Sequence, residues 1–212
     1  MMISFHLCFD LEYFYIHNFN ITTDPFFLNY RILIVSLFLF LVGVSLALAN
    51  KNGINWQKVK KRAAILGAAS VAISVATYID MPNSWVYFGV IHFIFVASIL
   101  ALPFIGHYKI SLITAVLILA LYFSGYLNMH PLFKILAPIL HLPKGYTVDL
   151  VPLVPWFAVV LFGVAFVDLN FYKYLDIKGG FIVDKLSFLG KHALVIYLIH
   201  QPILFALFSI FT

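Results

Sequence analysis

Seven stretches of the sequence are apolar enough to read as helices that cross a bilayer: 1–17, 29–49, 63–79, 85–104, 108–126, 151–168 and 189–211. A span needs about 20 mostly apolar residues, so seven spans with short loops use up the 212 residues. The pattern predicts an all-α polytopic membrane bundle with one domain over 1–212 and no separate soluble domain. The longest connection, LNMHPLFKILAPILHLPKGYTVDL, is apolar enough to lie on the membrane or dip into it. Its Pro131, Pro138, Pro143 and Gly145 argue against an eighth span.

Composition supports the same solvent. The chain is 64% hydrophobic and only 10% charged, against about 25% charged in a soluble domain. Its mean hydropathy is +1.04. Most basic residues fall on one side of the predicted spans: Lys51, Lys58, Lys60, Lys61, Arg62, Lys109, Lys173, Lys178, Lys185 and Lys191. Arg31, Lys134 and Lys144 fall on the other. Cytoplasmic loops collect Lys and Arg, so the N-terminus is expected inside and the C-terminus outside. The loop lysines account for the basic pI of about 9.2, and no nucleic-acid partner is expected. One cysteine, Cys8, excludes an intrachain disulfide. No cleavable signal peptide is expected.

Acidic residues and histidines lean to the outer side, and the first segment concentrates them. His6, Asp10, Tyr13 and His17 follow the spacing i, i+4, i+7, i+11, which places them on one helical stripe. A charge at mid-membrane costs roughly 2.5–3.5 kcal/mol on insertion scales, so such groups face a bundle interior or a wet cavity. Asp10, one turn from His6, is placed to orient that imidazole. The competing reading puts Asp10, Glu12 and His17 in the outer headgroup layer, without chemistry.

Further polar residues sit at membrane depth. His92 lies in WVYFGVIHFIFVASILALPF. His200 lies in LGKHALVIYLIHQPILFALF, with Tyr197 and Gln201 near its face and Pro202 freeing a carbonyl. Arg31 opens the second span. Asp149 precedes VPLVPWF, where Pro152 and Pro155 predict an irregular helix start ahead of Trp156. Gly43, Gly67, Gly89 and Gly163 suit close helix packing. The histidines show no repeated pairing of the kind haem demands, and neither haem nor a metal is expected.

Several of these stretches resemble one family. FHLCFDLEYF, SLFLFLVGVSLALA, WVYFGVIHFI, DLVPLVPWFAVVLFGVA and LSFLGKHALVIYLIHQP are similar, in order, to the heparan-alpha-glucosaminide N-acetyltransferase catalytic-domain family. The resemblance implies a membrane-embedded acyltransferase that uses cytosolic acetyl-CoA and acetylates a sugar across the membrane. It matches His6 and His17 to an asparagine and a catalytic histidine eleven residues apart. The family's Arg, Asp and Arg-Gly leader has no counterpart here, so a start upstream of Met1 is expected.

The resulting expectation has named parts. His17 or His6 acts as general base, with Asp10 orienting His6. Tyr13, Arg31, His92, Asp149, Trp156 and His200 bind substrates or line their path. Acetyl-CoA is the acyl donor, its phosphates held by the inner basic loops. The acceptor is an extracytoplasmic sugar or glycan, the setting is a bacterial inner membrane, and a homo-oligomer is compatible with the chain. Two alternatives stay open: a proton-coupled transporter, and a non-catalytic membrane partner in glycan assembly.

Overall fold

The computed structural model describes residues 1–143, 147, 149–175 and 179–209, with side chains at all of these except 130, 140, 175 and 182. The expected Lys144 and Lys178, and the end of the last predicted span, lie outside the described residues. Helices follow one another as α1 (Met2–Tyr13), α2 (Pro25–Ala49), α3 (Trp56–Asp80), α4 (Val90–Leu100), α5 (Tyr108–Phe123), α6 (His130–Leu140), α7 (Leu153–Asp168), α8 (Phe181–Lys191) and α9 (Ala193–Ser209). Short 3-10 turns occupy Leu102–Phe104 and Phe171–Leu175. Among the described residues the only β feature is an isolated bridge between Phe88 and Leu150. The all-helical expectation therefore holds.

The apolar runs account for the helices, and local capping chemistry sets their ends. α2 opens on Pro25, behind an Asp24 carboxylate that accepts from the Phe26 N–H at 2.7 Å. α3 opens on Asn55, whose Oδ1 accepts from the Lys58 N–H at 3.1 Å. This cap starts α3 seven residues before the predicted 63. Lys58, Lys60, Lys61 and Arg62 are thus helical, and the loop before them is short. At α7 the structure matches the proline reading: Pro152 is extended and Val154 is non-helical inside the first turn.

Among the described residues two helices, α2 and α3, are long and apolar enough to cross a membrane unaided. Residues Val183–Lys191 and Ala193–Ser209 make a third candidate if counted together, but they meet at a 76° bend. Leu189–Lys191 thus belong to α8, and the predicted straight span 189–211 is corrected to a helix that starts at Ala193. α4, α5 and α7 are apolar but shorter. α6 is an eleven-residue helix that exposes Leu132, Ile135 and Ile139 on one side, in place of a full span.

The chain forms two compact units, residues 1–37 with 174–212, and residues 38–173. In the first, α1 packs against α9, and α8 leads into α9. In the second, α5 packs on α7 around buried Ala115, Ala158 and Leu161, with Phe104, Ile118, Leu119, Phe157 and Phe162 around them. α2 meets α7 through glycine. A Cβ on Gly43 would collide with the Val160 carbonyl oxygen, and one on Gly163 with the Phe40 carbonyl oxygen. That is the small-residue contact by which helices approach in lipid.

Candidate functional site

In the first unit, the one-turn spacing of His6 and Asp10 gives α1 a polar face, and that face meets α9. The His6 and His200 ring centroids lie 4.9 Å apart, with the planes inclined by 59°. Asp10 is fully buried, and its Oδ1 accepts from Gln201 Nε2 at 2.8 Å. His200 is 8% exposed, with Nδ1 2.7 Å from the Tyr197 carbonyl oxygen. A carbonyl only accepts, so Nδ1 carries a proton and Nε2 of the neutral ring offers a lone pair.

Three buried atoms of this cluster have no hydrogen-bond partner among the described residues: Asp10 Oδ2, His200 Nε2 and Gln201 Oε1. All three are acceptors when the carboxylate is ionised and the imidazole neutral. Leaving such a group buried and unpaired costs about 1–3 kcal/mol. In that state all three lack the N–H or O–H donors that would satisfy them.

The rest of the predicted stripe divides. α1 ends at Tyr13, and Tyr15 takes a left-handed conformation at φ 57°. His17 therefore leaves the helix and lies exposed, with its ring 4.3 Å from that of Phe19. The i+11 position on the stripe is not realised. Tyr13 is half exposed and joins an aromatic group with Phe14 at 5.4 Å and Phe205 at 5.2 Å. Among the described residues no hydrogen bond links Asp10 to His6; the carboxylate binds Gln201 instead. Glu12 fastens the following loop, its Oε2 accepting from the N–H groups of Phe19 at 3.2 Å and Ile21 at 3.0 Å. Arg31 is exposed on α2.

The other predicted site residues lie in the second unit. His92 Nδ1 accepts from the Gly89 N–H at 3.3 Å. Nε2 lies 2.9 Å from Ser74 Oγ, which itself donates to the Val86 carbonyl at 2.8 Å. The chain of donors leaves one consistent neutral tautomer, with the proton on Nε2 and donated to Ser74. Asp149 Oδ2 accepts from the Val90 N–H at 2.8 Å, at the start of α4. A Cβ on Gly89 would strike that carboxylate, so Gly89 must stay bare. Thr77 Oγ1 accepts from the Val86 N–H at 3.0 Å. Together these groups tie α3, the loop 81–89 and the first turn of α4. Trp156 is partly buried near the start of α7. Within the first unit, His200 is the predicted site residue from another helix whose ring lies beside His6.

Sequence reasoning placed Gln201 beside His200 and missed its role as the partner of Asp10, 191 residues away. The available signal was a primary amide at mid-helix depth, which must find a partner there. Among the described residues, no three His, Cys, Asp or Glu side chains gather as metal ligands. A family model described as heparan-alpha-glucosaminide N-acetyltransferase, catalytic, matches residues 1–202. No curated protein and no solved structure matches the chain.

Proposed function

The chain belongs to the heparan-alpha-glucosaminide N-acetyltransferase catalytic family, and from that premise we propose that it is a membrane-embedded acyltransferase. It moves an acetyl group from cytosolic acetyl-CoA to an amine or hydroxyl of an extracytoplasmic sugar or glycan. One observation carries the reading at the level of residues: the unpartnered acceptors of Asp10, His200 and Gln201 beside the His6 ring. An attacking amine or alcohol supplies the donors they lack.

The chemistry follows from the reactants. The acceptor nitrogen or oxygen attacks the thioester carbonyl, forming the new C–N or C–O bond. The C–S bond breaks and the thiolate of coenzyme A leaves. The acceptor's proton must go to a base, and histidine suits that task. His6 is the first choice because it stands at the acceptor cluster. His17, on the exposed loop of the same unit, is the second. Asp10 and Gln201 hold the nucleophile, and the Nε2 lone pair of His200 accepts another of its N–H or O–H groups. Tyr13 and Arg31 guide the acceptor, and Trp156 lines the donor's path. His92 and Asp149 contribute by fixing the start of α4.

The whole chain acts as one such domain, in a bacterial inner membrane, with α4, α5 and α7 crossing despite their length. Seven crossings put the N-terminus inside and the C-terminus outside. A reporter fused after Thr212 then reads as outside and one inserted near Asn55 as inside; the same side for both overturns that topology. Transfer is tested with labelled acetyl-CoA on membranes carrying the chain. His6→Ala is expected to lower acetyl transfer by about 10²-fold, the scale of a lost general base. Full turnover in both His6→Ala and His17→Ala would remove the general-base role. A wild type without turnover would favour the transporter or partner readings.

A further inference from the structure

The second unit contains a cavity of about 50 Å³ where α2 ends, α3 begins and α4 ends. One water needs about 10–15 Å³ measured this way, so the space takes a few waters or one phosphate group, and no whole nucleotide. Its walls include Asn50, Lys58, Arg62 and Ser98. Lys58 and Arg62 are four residues apart on α3 and share a face. Among the described residues neither side chain has a hydrogen-bond or ion-pair partner. Asn50 is fixed as a wall: Nδ2 donates to the Leu46 carbonyl at 2.9 Å, and Oδ1 accepts from the Asn55 N–H at 3.3 Å.

Ser98 supplies an independent observation. It is only 7% exposed, and its Oγ is buried without a partner. A serine within a helix ordinarily satisfies its hydroxyl on the carbonyl one turn back, as Ser70 does on Leu66 at 2.8 Å. Ser98 instead lines the cavity. An unpaired guanidinium, an ammonium and an idle hydroxyl around one small space are the donor set of a phosphate site.

We propose that this cavity is a subsite for a single phosphate group, gripped by Arg62 and Ser98 with Lys58 adding charge. The phosphate belongs to the coenzyme of the acyl donor or to an anionic lipid headgroup. In the first case the assignment rests on the acyl-transfer reading above.

The test uses the full chain in a maltoside detergent, which carries no phosphate. One arm titrates coenzyme A and the other a short-chain phosphatidic acid. Arg62→Gln is expected to weaken binding about tenfold in one arm, the scale of one lost charge-assisted contact. Ser98→Ala weakens it less and Arg62→Lys partly restores it. Lys134→Gln removes the same charge from α6, outside the lining, and leaves binding unchanged. Thermal unfolding of each variant keeps a folding defect apart from a binding defect. The arm that responds identifies the source. Equal binding by Arg62→Gln and Lys134→Gln in both arms overturns the subsite. A chain that transfers acetyl yet shows that equality keeps the acyl-transfer reading and loses this one. A chain that binds phosphatidic acid through Arg62 and no coenzyme A keeps the subsite and loses the donor.

Discussion

His200 and His92 look alike in the sequence, each a single histidine in an apolar run, yet their surroundings are opposite. His92 spends both ring nitrogens on Gly89 and Ser74, and its neighbours are paired in turn. His200 spends one nitrogen on its own helix and leaves the other buried and idle, beside two more idle acceptors. An apolar sequence context is therefore a poor guide to chemistry. A satisfied histidine stabilises the fold, whereas an unsatisfied one costs stability that a ligand can return.

Paired substitutions test this contrast. His200→Phe is expected to lower acetyl transfer about 10²-fold while thermal stability stays level or rises, because an unpaired polar atom is replaced by apolar volume. A fall in stability with activity intact would reverse the assignment. His92→Phe has the mirror effect. It strands the Gly89 N–H and breaks the Ser74 link, costing about 1–3 kcal/mol of stability, and turnover per folded molecule stays within about threefold. Both are read by unfolding in detergent beside the labelled acetyl assay. Tyr13→Phe gives the smallest effect, within about threefold in turnover, because half of that side chain is exposed and its ring contacts survive the change. A larger loss would place the phenol inside the acceptor cluster.

Apolar run length made the all-helical architecture legible, and the spacing of His6 and Asp10 gave the polar face of α1. The helix ends were less visible. The run YFYIH contains no glycine or proline, so nothing local announces that Tyr15 turns left-handed and takes His17 off the stripe. The start of α3 was misplaced because a cluster of lysines reads as loop, while the Asn55 cap makes it helix. The bend at His192 lies in a segment where apolar residues run on both sides. Gly190 is the only weak local sign of it. Partners distant in sequence, Asp10 with Gln201 above all, depend on how α1 meets α9, which no local pattern encodes.

The shortness of α5 and α7 has a consequence for the lipid. Each is a sixteen-residue apolar helix, and they stand packed together. At 1.5 Å per residue such a pair reaches about 24 Å, whereas a bilayer's hydrocarbon core is about 30 Å thick. If both cross the bilayer, as the seven-span proposal has it, the membrane around them must thin locally, at a cost of fractions of a kcal/mol for each ångström of mismatch. The protein should accordingly partition into thin bilayers and lose order in thick ones. On the acyl-transfer reading proposed above, the barrier between the two faces would be narrowest around this helix pair.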